Sequence, residues 1–406
     1  MGFAKRQMME EDEQGWAFSS QSVCQHCVDD DALKSVLAAA GDGEAACDFC
    51  GSSPASALDI LLDTFVKGLR TEYEDAAAGV FYESREGGYQ WDPKWDTWEL
   101  VGLFDDVLVG DGLLDTVSNA MHDRTWVEYN FAHPRRDQAL LAGWERFCEA
   151  VKYETRYVFW LRDDEDAEQI ESWGEVPASR ILQQVGDLVD RMGLIQSLPK
   201  GYRLWRGRSH ELGVAYSQAH NLGTAPRDKA TRGNRMNPAG IPMFYGAADM
   251  RTAAMESLAH TGDPLVSLGQ FETSEPGVVV DFTSLEQVPS LFDLDRSPLR
   301  RPLMFLHRFV QELSLPAREE YEEIDYVPTQ VLSEYLLRIF RPGVEIAGLL
   351  YRSALSGELA AVLDVSHDRC VEQTSGWTDR PGLGLGLVPN SARTIDREVL
   401  PSKTSV

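Results

Sequence analysis

The apolar periodicity of this chain changes character once, at Leu198-Pro199-Lys200-Gly201. Before that point the pattern is helical. Leu58, Leu61, Leu62, Phe65 and Leu69 recur at helix spacing with a polar opposite face. Leu140, Leu141, Trp144, Phe147 and Val151 repeat it between Asp137 and Trp160, and a further helix is expected from about Ala178 to Ile195. After that point come short strand-like runs: "YRLWRG", "IPMFYGA", "VSLGQF", "GVVVDF", "VEIAGLLYRS" and "LAAVLDV". Helices are expected between them at about 249–260, 298–314 and 328–340. A chain of 406 residues is too long for one ordinary core. The expected fold class is therefore α+β and multi-domain, with a mainly helical front half and a mixed α/β second half.

The spacing sets finer borders. Residues 1–20 are acidic and aperiodic and read as a loose lead-in. Residues 21–53 hold two cysteine pairs, Cys24-Gln-His-Cys27 and Cys47-Asp-Phe-Cys50, separated by 19 residues. Each pair offers two thiolates to one metal, and the second pair completes a tetrahedron. Disulfides are the alternative, disfavoured in a reducing compartment. The expectation is a closed structural zinc site on Cys24, Cys27, Cys47 and Cys50, with His26 outside the ligand set and no catalysis at the metal. Cys148 and Cys370 read as ordinary thiols. Within this unit "DDALKSVLAAAG" predicts a short helix ending at Gly41. Residues 54–197 form the helical domain and 198–374 the mixed one. From 375 to 406 the chain is rich in Gly and Pro and is expected to be a tail. "GLGLGL" there lacks a phosphate-loop pattern. Trp91, Trp95 and Trp98 suggest a stripe packing the front helices, interrupted at Pro93.

Charge excludes further classes. The net charge of -27 repels nucleic-acid phosphates overall, although a local basic patch remains open. No apolar run approaches the length of a membrane helix, and Arg6 breaks the myristoylation pattern that "MGFAKR" begins. The expected location is the cytoplasm.

Chemistry concentrates in the second half. "YRLWRGR" holds Arg206, "GNRMNPAGIPMFYGA" holds Arg235, Asn237 and Tyr245, "DMRTAAMESLAH" holds Glu256, and "GLLYRSALSGE" holds Ser353. Read alone, each has a bland counterpart: a salt-bridged arginine, a packed tyrosine, a surface carboxylate, a turn hydroxyl. In this order, with "DYVPTQVLSEYL" ahead of the serine, they resemble the RES domain family over about residues 199–370. The front half resembles the helical, HEPN-like domain that precedes RES domains, leading cysteine pairs included. Neither Arg124 with His133 nor Arg301 with His307 makes a good match to the arginine–histidine signature of HEPN ribonucleases. The first pair is spaced too widely, and the second lies in the other half.

The resemblance implies an ADP-ribosyltransferase-like fold and an enzyme that consumes NAD, acting as a bacterial toxin or anti-phage effector. It implies NAD glycohydrolase or phosphorylase activity. The alternatives are ADP-ribosylation of a macromolecule and a non-catalytic nucleotide-binding module. Cleaving the nicotinamide–ribose bond develops positive charge at the anomeric carbon, which a carboxylate stabilises; Glu256 is the candidate. Arg206 would grip the pyrophosphate, with Arg208 as competitor. Arg235, for which Arg232 is the alternative, joins Asn237, Tyr245 and Ser353 in substrate binding. Gly207 departs from a bulkier residue found in some members. The partner implied is an antitoxin or other regulatory protein, and a homo-oligomer is the default expectation.

Overall fold

The computed structural model describes residues 3–161, 167–259, 261–315, 317–318, 320–373 and 382–399. The chain is α+β and multi-domain, and divides into two compact units. One comprises Met1–Arg136 and Gln287–Met304, the other Asp137–Glu286 and Phe305–Val406. Residues 137–197, expected in the helical domain, thus belong to the same compact unit as the mixed half.

In the first unit, Asp30 caps helix α1 (Asp31–Ala40), its carboxylate accepting the Ala32 and Leu33 N–H groups at 3.0 Å. Helix α2 (Leu58–Glu72) buries Leu58, Leu61, Leu62, Phe65 and Leu69, as their spacing predicts. The segment 287–304 returns to this helix. Phe292 stacks on Phe65 at 4.9 Å, and a Cβ on Gly68 would stand 2.6 Å from the Phe292 ring. Glu72 at the end of α2 is buried and meets Arg301, Arg300 at 3.6 Å and Arg135 at 3.9 Å. The expected lead-in is ordered in its described part: Phe3–Gln14 is helical, and Trp16 is buried and bridges Met121. The three tryptophans do not form one stripe. Trp95 opens a two-residue strand and packs edge-on against Tyr73, while Trp91 and Trp98 are exposed.

The second unit is built on one ten-stranded sheet. Its strands are β1 (Ile195–Leu198), β2 (Arg203–His210), β3 (Phe244–Ala247), β4 (Leu265–Thr273), β5 (Gly277–Asp281), β6 (Ile346–Arg352), β7 (Leu359–Leu363), β8 (Cys370–Glu372), β9 (Leu385–Leu387) and β10 (Arg393–Asp396). The order is β8-β9-β4-β2-β3-β7-β6-β5-β1, with β10 on β4. Pairs β5/β6 and β8/β9 are parallel and the others antiparallel. Residues beyond 375 were expected to be a tail. Their described part instead supplies β9 and β10, because Leu385 and Leu387 alternate inward and are buried. Residues 374–381 and 400–406 of that segment lie outside the described residues.

Side chains alternate between the two faces of the sheet. Val280, Leu349 and Val362 face one core, and Val279, Leu350 and Ala361 the other. The first core also takes Leu140, Trp144 and Phe147 of α3 (Arg136–Glu149) and Ile181, Val185 and Val189 of α4 (Ile181–Arg191). Each such side chain contributes about 1.5–3 kcal/mol when fully buried. That burial is why these helices belong to the sheet's unit. Helix α5 (Met250–Leu258) lies on β2 and β4. Helix α6 (Ser297–Ser314) starts in the first unit and ends in the second, and α7 (Val327–Glu334) closes the first core with Leu332.

Candidate active site and metal centre

Glu256 sits at the end of the second turn of α5, and two devices fix that helix. Asp249 caps it, accepting the Thr252 N–H at 2.9 Å. Gly207 on β2 lets it approach: a Cβ there would stand 2.3 Å from Ser257 Oγ and 2.8 Å from the Ala253 carbonyl. The departure noted at Gly207 is therefore a packing requirement of the helix that carries Glu256. Half-buried, Glu256 accepts a hydrogen bond at Oε1 from Ser353 Oγ. Its Oε2 makes no hydrogen bond among the described residues. Ser353 is buried in the turn after β6, and its Oγ also accepts the Leu355 N–H at 3.1 Å. The next turn of that loop ties back to the same helix, Thr252 Oγ1 meeting Ser356 Oγ at 2.9 Å and Asp249 Oδ2 at 2.6 Å.

Arg206 points from β2 toward β3. Its Nη1 donates to the Tyr245 carbonyl at 3.0 Å, and its guanidinium lies 5.0 Å over the Phe244 ring. Nε is buried without a hydrogen-bond partner, and no carboxylate pairs with the group among the described residues. Burial pushes its pKa down to about 10, so the cation stays charged at neutral pH at a desolvation cost that an anion would offset. Arg208 is exposed, donating to the Asn221 carbonyl at 2.8 Å and lying 4.4 Å over Tyr216.

Arg235 lies in a loop closed by a hydrogen bond from Gly240 N–H to the Ala230 carbonyl at 2.8 Å, with Gly240 at φ +84°. Arg235 Nη1 donates to the Leu313 carbonyl at 3.1 Å and to that of Leu315, and its guanidinium stacks 5.5 Å over Tyr326. These carbonyls belong to the end of α6 and the residue after it, and the segment that follows is clamped in turn. Asp325 binds Arg318 at 2.8 Å and Lys152 at 3.5 Å, and the Arg318 hydrogen bonds hold its carboxyl well below the usual range.

Asn237 is buried and faces its own loop: Oδ1 accepts the Tyr245 hydroxyl at 2.7 Å, and Nδ2 donates to the Pro238 carbonyl at 3.1 Å. The Tyr245 hydroxyl also accepts the Met236 N–H at 3.1 Å, and burial pushes this phenol up. The residues expected to touch substrate thus separate. Glu256, Arg206 and Arg235 keep unsatisfied capacity, whereas the polar groups of Asn237, Tyr245 and Ser353 are taken up by protein partners. Two tyrosines join them that the motif reading did not single out. Tyr351 and Tyr326 both lie within electrostatic reach of Glu256 and Arg235, and burial raises the pKa of each. Both sit inside the quoted runs "GLLYRSAL" and "DYVPTQVLSEYL", beside residues that were marked.

The four paired cysteines come together in the first unit. Sγ separations are 3.9 Å for Cys24–Cys27, 3.4 Å for Cys24–Cys50 and 3.6 Å for Cys27–Cys47, and all four atoms lie within 4.8 Å of one another. Tetrahedral thiolates about 2.3 Å from a metal stand about 3.8 Å apart, so the donor set fits a single ion. A Cβ on Gly110 would meet Cys27 Cβ at 2.8 Å, so a glycine lets that loop close over the knuckle. Hydrogen bonds from Ser52 bring the Cys50 thiol down to about 6, while burial raises that of Cys24.

The family model of the RES domain matches residues 203–380, a span that includes Arg206, Arg235, Glu256 and Ser353. The model of HEPN/RES N-terminal domain 1 matches residues 40–165, so it takes in the second cysteine pair and runs past Arg136 into α3. The second unit therefore carries a RES domain. The chain as a whole is a HEPN/RES N-terminal domain followed by a RES domain, an architecture that associates it at the family level with an NAD-related, toxin-like function and NAD as substrate. No curated protein matches the chain. No described helix is long and apolar enough to cross a membrane.

Proposed function

We propose that this protein cleaves the nicotinamide–ribose bond of NAD, with Glu256 as the catalytic carboxylate. The observation that carries this reading is a half-buried carboxylate with one oxygen oriented by Ser353 and the other without a hydrogen-bond partner among the described residues, sharing Tyr326 and Tyr351 with Arg235, which like Arg206 forms no ion pair with a carboxylate among the described residues. As the C1′–N bond breaks, its electron pair leaves with nicotinamide and positive charge develops on the ribose. The free oxygen of Glu256 faces that charge and stabilises it. Arg206 and Arg235 hold the pyrophosphate, for which a planar cation short of an anion is suited. Ser353 holds the carboxylate in register, and Asn237 and Tyr245 shape the loop that presents Arg235. Water then attacks C1′ and loses a proton, giving ADP-ribose; phosphate attacking instead gives the phosphorylated product.

The cysteine cluster is proposed to hold a structural zinc. Four thiolates leave no open position for substrate, so its contribution is to the first unit's stability.

The test is to incubate the full chain with NAD, with and without inorganic phosphate, and to follow nicotinamide by chromatography. Release with ADP-ribose as co-product supports hydrolysis, and release that requires phosphate supports phosphorolysis. Release only when a protein target is added points to transfer. No nicotinamide under any of these conditions overturns the reading.

A further inference from the structure

In a chain of net charge -27, residues 203–235 carry seven Lys and Arg against Glu211 and Asp228. Some of these cations are occupied. Arg203 pairs with Glu272 at 3.0 Å, and Arg206, Arg208 and Arg235 bind backbone carbonyls. Arg227, Lys229 and Arg232 are different. All three are exposed, and none forms an ion pair or side-chain hydrogen bond among the described residues. Some cations elsewhere in this acidic chain find carboxylates: Lys34 binds Asp29, Lys67 binds Asp63 and Arg124 binds Asp75.

Their placement is local to the site. Arg227–Lys229 is one turn of 3-10 helix that ends at Ala230, whose carbonyl closes the loop with Gly240. Arg232 lies inside that closed loop, three residues before Arg235. Gln330 Nε2 holds the loop through the Asn234 carbonyl at 2.9 Å, and Thr329 Oγ1 holds it through the Arg235 carbonyl. The cations are therefore mounted on a braced loop, not on a free strand of chain.

We propose that Arg227, Lys229 and Arg232 form a cationic rim that draws phosphate-bearing small molecules, first of all a dinucleotide pyrophosphate, to the loop carrying Arg235. This rests on the reading of the site given above and deepens it. The net field of the chain opposes an anionic substrate, and a local reversal of sign at this loop counteracts that field and raises the capture rate. Exposed charges act over the Debye length, about 10 Å at 0.1 M salt and about 3 Å at 1 M, so the effect is salt-dependent by nature.

The experiment is calorimetric titration of the full chain with ADP-ribose, which carries the pyrophosphate but has no bond to nicotinamide. Wild type is compared with the Arg227→Gln/Lys229→Gln/Arg232→Gln triple variant at about 0.02 M and about 1 M salt. The triple variant is expected to bind about tenfold more weakly at low salt and to match wild type at high salt. Asp228→Asn, which removes the one carboxylate of the rim, is expected to shift affinity the other way, tightening binding at low salt only. Equal affinities at low salt, a gap that persists at high salt, or a loss confined to a single-stranded oligonucleotide probe each overturns the rim. Because ADP-ribose binding requires no cleavage, a chain that binds it in this way yet never releases nicotinamide retires the catalytic reading and supports the rim. A chain that releases nicotinamide with unaltered ADP-ribose binding does the reverse.

Discussion

Glu256 owes its position to a glycine and a serine as much as to its own helix. Gly207→Ala would place a methyl 2.8 Å from a backbone carbonyl that cannot rotate away. It is expected to cost about 1–3 kcal/mol, read as a lowered melting temperature, and to reduce nicotinamide release by displacing α5. Ser353→Ala removes the hydrogen bond to Oε1 and is expected to lower kcat about tenfold with KM little changed, checked by steady-state kinetics. At this scale the sequence was informative about identity but not about direction. The order of Arg206, Arg235, Glu256 and Ser353 marked all four. That Asn237 and Tyr245 bond to each other, and that Tyr351 and Tyr326 join Glu256, depends on where strands and loops point their side chains. A motif read one run at a time carries none of that.

Between residues and whole units, the end of α6 and the residue after it support Arg235 through carbonyls, and Asp325 holds the segment that follows. The Asp325 pKa is depressed by Arg318, so its stabilising contribution is fully present above the ordinary aspartate pKa of about 4 and is lost as pH falls through the lower folded value. Asp325→Asn is therefore expected to melt below wild type at pH 7, with the gap closing in acid below about pH 4; a gap independent of pH would contradict this. In the first unit Glu72 stands among Arg135, Arg300 and Arg301. Glu72→Gln removes the anion these cations share, with Arg135 keeping Glu128 at 3.1 Å, and is expected to destabilise by up to about 3 kcal/mol in chemical denaturation. The helices and strands themselves were largely legible. Period 3.6 up to about Arg191 and period 2 after Ile195 place most elements within a few residues. Which core a helix joins was not, because the apolar face of α3 would suit either unit and only the sheet's own exposed face decides. The Gly-rich run that became β9 was hidden for a related reason. Glycine weakens the strand signal, and pairing with β4 and β8 supplies what local propensity lacks.

For the molecule as a whole, the shared core of 137–194 with the sheet predicts that a fragment starting at residue 199 does not fold, which circular dichroism of the purified fragment would check. The cysteine cluster shares its core with Leu33, Leu62 and Phe65, so if it holds the proposed zinc, a chelator or Cys47→Ser is expected to lower the melting temperature of the first unit as a block. Catalysis by Glu256 is the central claim, and it separates binding from bond breaking. The most direct test measures NAD affinity and single-turnover nicotinamide release side by side for wild type and Glu256→Gln. The variant is expected to bind NAD within about threefold of wild type and to release nicotinamide at least about a hundredfold more slowly. A Glu256→Gln protein that releases nicotinamide at the wild-type rate would contradict the claim.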